Sequence, residues 1–145
     1  MWRDEQLYQM KTDEMMAVYR EVAPECFTQK QAFNKVVKHK ASRFYVLPHA
    51  VYCALKGAFY GTGEIKTKAP SAKRMYLELY KRLLDMSRDP FHEGESLREL
   101  CSKVVLQPAP EFYISPVTFA NIFAREKVKL RKRHESRRIV KPQGT

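Results

Sequence analysis

The sequence predicts a mainly α fold of about six helices with a minimal two-stranded antiparallel sheet, and three observations carry that reading. The chain is one domain's worth, 145 residues of which 44% are hydrophobic and 12% aromatic, enough apolar material for a core and too much for disorder throughout. Apolar residues recur at helical spacing in one segment after another. Finally, the chain matches itself at an offset of 68 residues.

Taken in order, residues 4–22 read as a helix with Leu7, Met15, Val18, Tyr19 and Val22 on one side, ending before Pro24. Thr28 to about Lys38 is a second, opened by the capping box Thr28-x-x-Gln31 and striped by Ala32, Phe33, Val36 and Val37. Pro48 suits the first turn of a third. The stretch from Gly57 through Gly61 and Gly63 to Lys68 reads as a glycine-broken loop or hairpin. Ser71 to Ser87, with Met75, Tyr76, Leu79, Leu83 and Met86, is a fourth helix, stopped by Asp89-Pro90. Ser96 to about Leu106 is a fifth, with the box Ser96-x-x-Glu99 and the stripe Leu97, Leu100, Cys101, Val104, Val105. From Pro116, with Ser115 as N-cap, a sixth buries Val117, Phe119, Ala120, Ile122 and Phe123 and then turns almost wholly charged.

The repeat aligns Lys35-Val36-Val37 with Lys103-Val104-Val105, Ala41 with Ala109, Phe44-Tyr45 with Phe112-Tyr113 and Pro48 with Pro116. That makes seven identities in an ungapped window of 14 residues, with Val46 facing Ile114. Each unit reads helix, strand, helix. The β-prone Phe-Tyr-Val and Phe-Tyr-Ile are expected to pair with each other about a pseudo-two-fold, since a lone strand leaves its backbone unpaired. The expected organisation is a single helical domain over 1–124 with repeat units at 28–58 and 96–124, followed by a basic helical extension and tail over 125–145. The ordinary role of the repeated rings is to fill the core.

Charge is segregated. The net formal charge is +11, with a block of +10 in residues 28–88 and one of +7 in 125–145, while 1–27 and 89–124 are each −3. Such segregation favours a polyanionic partner over a merely soluble surface. Lys127, Lys129, Arg131, Lys132, Arg133, Arg137 and Arg138 are the first candidate nucleic-acid contacts, because a helix carrying them buries little and can lie along phosphates. Lys66, Lys68, Lys73 and Arg74, around a loop and a helix N-terminus, form the second set. Phe59 and Tyr60 lie near enough in sequence to stack on bases, although core packing is their more ordinary use. The DNA reading asks the two blocks to converge into one exposed strip.

Catalytic chemistry has little support. His39, His49, His92 and His134 are scattered without a His-Glu-x-x-His pattern, and Cys26, Cys53 and Cys101 are too far apart for a zinc site or a disulfide framework. Cys53 and Cys101 fall on apolar helix faces and read as small core residues. His92-Glu93 beside Asp89 reads as a polar turn, and Gly61-x-Gly63 has no following Gly-Lys-Ser/Thr, so no phosphate loop is legible. No metal, cofactor or small-molecule substrate is therefore expected. The longest apolar run, Ala50–Leu55, is far too short for a membrane span of about 20 residues, and Met1-Trp2-Arg3-Asp4-Glu5 does not read as a secretory signal.

The segment Gln107-Pro108-Ala109-Pro110-Glu111-Phe112-Tyr113-Ile114-Ser115-Pro116 resembles uncharacterised small proteins of phages and integrated mobile elements of gut bacteria. Those carry two Pro-Ala-Pro-x-Phe-Tyr-like segments separated by a Leu- and Tyr-rich helix and end in a basic tail. The resemblance spans about residues 28–133, and the first unit departs from it with Lys40-Ala41-Ser42. It implies a phage or mobile-element setting, in the bacterial host cytoplasm or packaged in a virus particle, and no established activity. The expected function is non-enzymatic nucleic-acid binding, to duplex DNA in preference to RNA and mostly through phosphates. The alternatives are a virion structural or packaging component, or a regulator that binds a protein partner or a second copy of itself.

Overall fold

In the computed structural model, described for residues 4–67 and 69–140 (backbone alone for 136–140), each helix of the first half recurs in the second. The six are α1 (Asp4–Val22), α2 (Gln29–Lys38), α3 (Pro48–Tyr60), α4 (Pro70–Arg88), α5 (Leu97–Val104) and α6 (Pro116–Val140). The 68-residue offset relates α2 to α5 and α3 to α6, and within two residues α1 to α4. The same local chemistry starts the paired helices. Thr28 Oγ1 accepts from Gln31 N–H and Ser96 Oγ from Glu99 N–H, both at 3.2 Å, and Pro48 and Pro116 open α3 and α6. Ser96→Ala should remove about 1 kcal/mol of stability, read as a lowered urea midpoint with an unchanged slope.

The two units interlock: α2 packs on α6 of the other unit, and α5 on α3. Their meeting point replaces the expected sheet. Among the described residues no strand forms, and a single antiparallel bridge joins Ala41 to its own repeat mate Ala109 through hydrogen bonds of 2.9 and 3.0 Å. A residue bridged to its mate places the pseudo-two-fold axis there. The rings obey it: Phe44 stacks on Tyr113 at 6.1 Å and Tyr45 on Phe112 at 6.4 Å. The Phe-Tyr segments fail to pair as strands because their backbones have other engagements. Phe44 N–H donates to Val105 O at 2.9 Å, and Tyr113 sits at φ 58, outside the extended region.

Position 42/110 shows how the copies diverged. Ser42 N–H donates to Glu14 of α1 at 2.9 Å, and the Ser42 and Tyr45 hydroxyls also donate to Glu14. Burial, with the Glu14 bond second, pushes the Tyr45 phenol up to about 12. The mate of Ser42 is Pro110, which has no N–H. At the mate of Glu14 stands a donor, Arg82, whose Nη1 reaches Pro108 O at 2.7 Å.

The core runs through both units, with Val36, Val51, Leu55, Leu79, Leu83, Cys101, Val104 and Phe119 fully buried. Tyr19, Phe33, Phe119 and Phe123 form an aromatic cluster between α1, α2 and α6, with centroids 4.5 to 6.4 Å apart. The loop after α3 begins later than expected. The helix includes Gly57 and ends at Tyr60, and Gly61 at φ 74 lets Thr62 N–H return to Gly57 O at 2.8 Å, a left-handed cap that glycine adopts without strain.

Before α5, the turn containing His92 ties down Glu95, which meets His92 Nδ1 at 2.7 Å and Lys103 Nζ at 2.5 Å. The Lys103 bond first, and the His92 bond second, hold the Glu95 carboxyl below its ordinary value. A carboxylate with a depressed pKa stabilises the fold above its unfolded value, and that stabilisation is lost as pH falls through the folded value. Lys103→Met should raise the Glu95 titration back toward the ordinary carboxylate range and flatten the loss of thermal stability in acid; NMR titration of the Glu95 side chain checks the first and melts across the acid range the second.

Candidate nucleic-acid interface

Helix α6 starts as a core element and ends as a charged rod. Phe119, Ile122 and Phe123 are buried, whereas every described residue from Lys127 to Glu135 is exposed. Leu130 marks where the body stops. At about 100° per residue it lies on the side of Phe119 and Phe123, and it is nevertheless 48% exposed. On the same geometry Val128 falls opposite the buried residues, with Lys127 and Arg131 along one edge and Arg125, Lys129 and Lys132 along the other.

Some of these cations are engaged at the root of the rod. Arg125 Nη2 donates to Tyr8 Oη at 2.9 Å, Lys127 Nζ stands 4.7 Å over the Phe123 ring, and Lys129 pairs with Glu126 at 3.1 Å. Arg131, Lys132 and Arg133 have no acidic partner among the described residues. The backbone of Arg137 and Arg138 continues α6, and their side chains lie outside the described residues.

The second basic set lies elsewhere. Lys66 N–H donates to Ala54 O at 3.1 Å, pinning its loop on α3, and the Lys66 and Lys73 side chains are exposed. Lys68 lies outside the described residues. Arg74 Nη2 meets Glu111 Oε1 at 2.6 Å and, with Ser71, borders a depression shared with Ser115 and Pro116. Arg74 is thus beside the first turn of α6. At 1.5 Å per residue, Lys127 and Arg133 are about 17 and about 26 Å further along that helix. Arg74 therefore shares no strip with the rod, because it stands at the opposite end of α6 and is paired with a carboxylate. Nor do Phe59 and Tyr60 flank the rod: Phe59 packs on the core, and Tyr60, 60% exposed, meets it edge-on at 5.3 Å at the end of α3.

Three arrangements were not legible beforehand. Cys101 is buried as expected, but Cys53 is exposed, and its Sγ lies 3.4 Å from His49 Nε2 one turn earlier on α3. The i, i+4 spacing of those two residues was the available signal. Arg98 of α5 stands over the ring of Tyr52 of α3, its guanidinium carbon 4.0 Å from the ring centroid. Arg43 is 7% exposed, its Nε donating to Phe44 O at 3.1 Å. Contacts between α3 and α5 have no local sequence signature. Among the described residues no cluster of three His, Cys, Asp or Glu could hold a metal ion, and no helix is long and apolar enough to cross a membrane.

Comparison of the chain with protein-family models, with curated proteins and with solved structures finds no match in any of the three.

Proposed function

We propose that this chain is a non-enzymatic nucleic-acid-binding protein that holds duplex DNA through phosphates, with α6 beyond Ala124 as the contact element. The observation that carries the reading is the rod itself: a helix leaving its core with exposed cations on both edges and Val128, uncharged, between them. A helix about 10–12 Å across fits a B-form major groove about 12 Å wide. Laid there with Val128 inward, it directs one cationic edge at each strand's phosphates. The A-form major groove is too narrow to admit it, which favours DNA over RNA. Lys66, Lys68 and Lys73 are secondary contacts at most, and Arg74 is held by Glu111. A setting in phages or mobile elements suits a small basic protein of this kind.

Gel shifts with duplex DNA, single-stranded DNA and duplex RNA at two ionic strengths test it. Binding of duplex DNA at low salt, tighter than the other two and weakened by added salt, is the expected outcome; no duplex binding at low salt overturns the proposal. A second reading, a protein-interaction or virus-particle component, draws on Val128 and Leu130, 46% and 48% exposed on the rod. Its mark is association with a partner or a second copy that survives nuclease treatment.

A further inference from the structure

The pseudo-two-fold produces two equivalent depressions, and they have diverged in charge. One lies between α3 and α5, encloses about 490 Å³ and is walled by Leu47, Pro48, Val105 and Leu106. The other, about 290 Å³, presents the repeat mates of these four residues, Ser115, Pro116, Val37 and Lys38. Where the first has Arg43, the second has Glu111, and that carboxylate is met by Arg74 at 2.6 Å. The smaller depression thus contains a guanidinium–carboxylate pair made within the chain. The larger has no acidic residue in its lining and presents the exposed guanidinium of Arg98, while Arg43 is buried and engaged through Nε with Phe44 O at 3.1 Å.

The larger cleft is also the more elaborated. Tyr52, whose mate is Ala120, supplies a platform for Arg98 at 4.0 Å. A cation–π contact holds the guanidinium against the ring, and a guanidinium so held can still offer two N–H donors to a planar two-oxygen acceptor. Arg98 has no acidic partner among the described residues. The volume lies within the range of about 300–1,000 Å³ typical of small-molecule sites, which are apolar with a few placed polar groups.

We propose that the α3–α5 cleft binds a small amphipathic carboxylate, its apolar body against Leu47, Val105 and Leu106 and its carboxylate on the exposed Arg98. A carboxylate is favoured over a phosphate group because the walls are apolar and the exposed donor is a single guanidinium, whose fork matches two coplanar oxygens. The site is a binding site, not a site of turnover, and it does not depend on the nucleic-acid reading, since it uses no residue of the rod.

The test is a titration of the intact chain with 1-naphthaleneacetate, followed by methyl and amide NMR, with the neutral 1-naphthaleneacetamide and inorganic phosphate in parallel. The acid should shift Leu47, Val105 and Leu106 and leave Val37 and Ile114, in the other depression, unmoved. The amide should bind about ten-fold or more weakly, the loss of a charge-assisted hydrogen bond, and phosphate should not displace the acid. Arg98→Gln, at an exposed position, should remove the preference for acid over amide, while Leu106→Trp should block both ligands by filling the mouth. Shifts absent at millimolar acid, equal affinity for acid and amide, displacement by phosphate, or an unchanged preference in Arg98→Gln would each overturn the proposal.

Discussion

Glutamine at Lys127, Lys129, Arg131, Lys132 and Arg133 is expected to lower duplex affinity at low salt by about three orders of magnitude, each neutralised phosphate having released condensed counterions. The fold should survive. The contacts removed with those side chains are an exposed pair between Lys129 and Glu126 and the approach of Lys127 to the Phe123 ring at 4.7 Å. An exposed pair contributes up to about 1 kcal/mol and an exposed cation–π contact about 0.5–1, so the melting temperature should move by only a few degrees. Deleting the chain after Ala124 should lower binding at least as far, since Arg125, Arg137 and Arg138 go too, and take slightly more stability, because the bond from Arg125 to Tyr8 is lost. Circular dichroism and gel shifts on the same samples separate the two effects.

Phe119→Ala should act in the opposite sense, removing about 3–5 kcal/mol of stability, a large share of the 5–15 kcal/mol that domains of this size possess. Phe119 is fully buried and touches Phe33 edge-on at 5.3 Å, with Tyr19 at 6.4 Å and Phe123 at 6.2 Å. Truncation leaves a cavity bordered by rigid rings that cannot collapse into it. Urea unfolding followed by far-ultraviolet dichroism measures the change. A loss below about 1 kcal/mol would mean that the cluster relaxes around the gap. While the variant remains folded its duplex binding should be unchanged, since the cations lie beyond the core.

The aromatic cluster also explains how far the duplication could be read from residues alone. At the 68-residue offset Phe119 faces Val51, Phe123 faces Leu55 and Phe33 faces Cys101. Each mate is buried, so position and burial are kept while volume and chemistry change. Identity is therefore densest near the axis, where Ala41 and Ala109 approach backbone to backbone and the Phe-Tyr rings stack on their counterparts. The relation of α1 to α4 is faint in the sequence for the same reason: Tyr8 matches Tyr76 and Arg20 matches Arg88, but Lys11 stands opposite the fully buried Leu79. Helices were legible because apolar spacing and caps such as Thr28 and Ser96 are local. The sheet was misread because β-propensity in Phe-Tyr-Val reflects side-chain packing, and here the rings pack without a ladder. Cys53 was misread because α3 buries a narrower stripe than its composition implies, with Val51, Ala54 and Leu55 inside. The distance of Arg74 from the rod, and the cleft between α3 and α5, depend on which helices become neighbours, and no single segment encodes that.

The most direct measurement is the salt dependence of duplex affinity for the intact chain beside its five-glutamine variant. With about five phosphates neutralised, log affinity should fall against log salt with a slope of about −4.5, so a four-fold rise in salt weakens the intact chain about 500-fold. The variant's slope should be clearly shallower, with only Arg125, Arg137 and Arg138 left of the named contacts and edge cations on this helix. Equal slopes for the two chains, or a slope near zero for both, would contradict the assignment of α6 as the element that grips the phosphates.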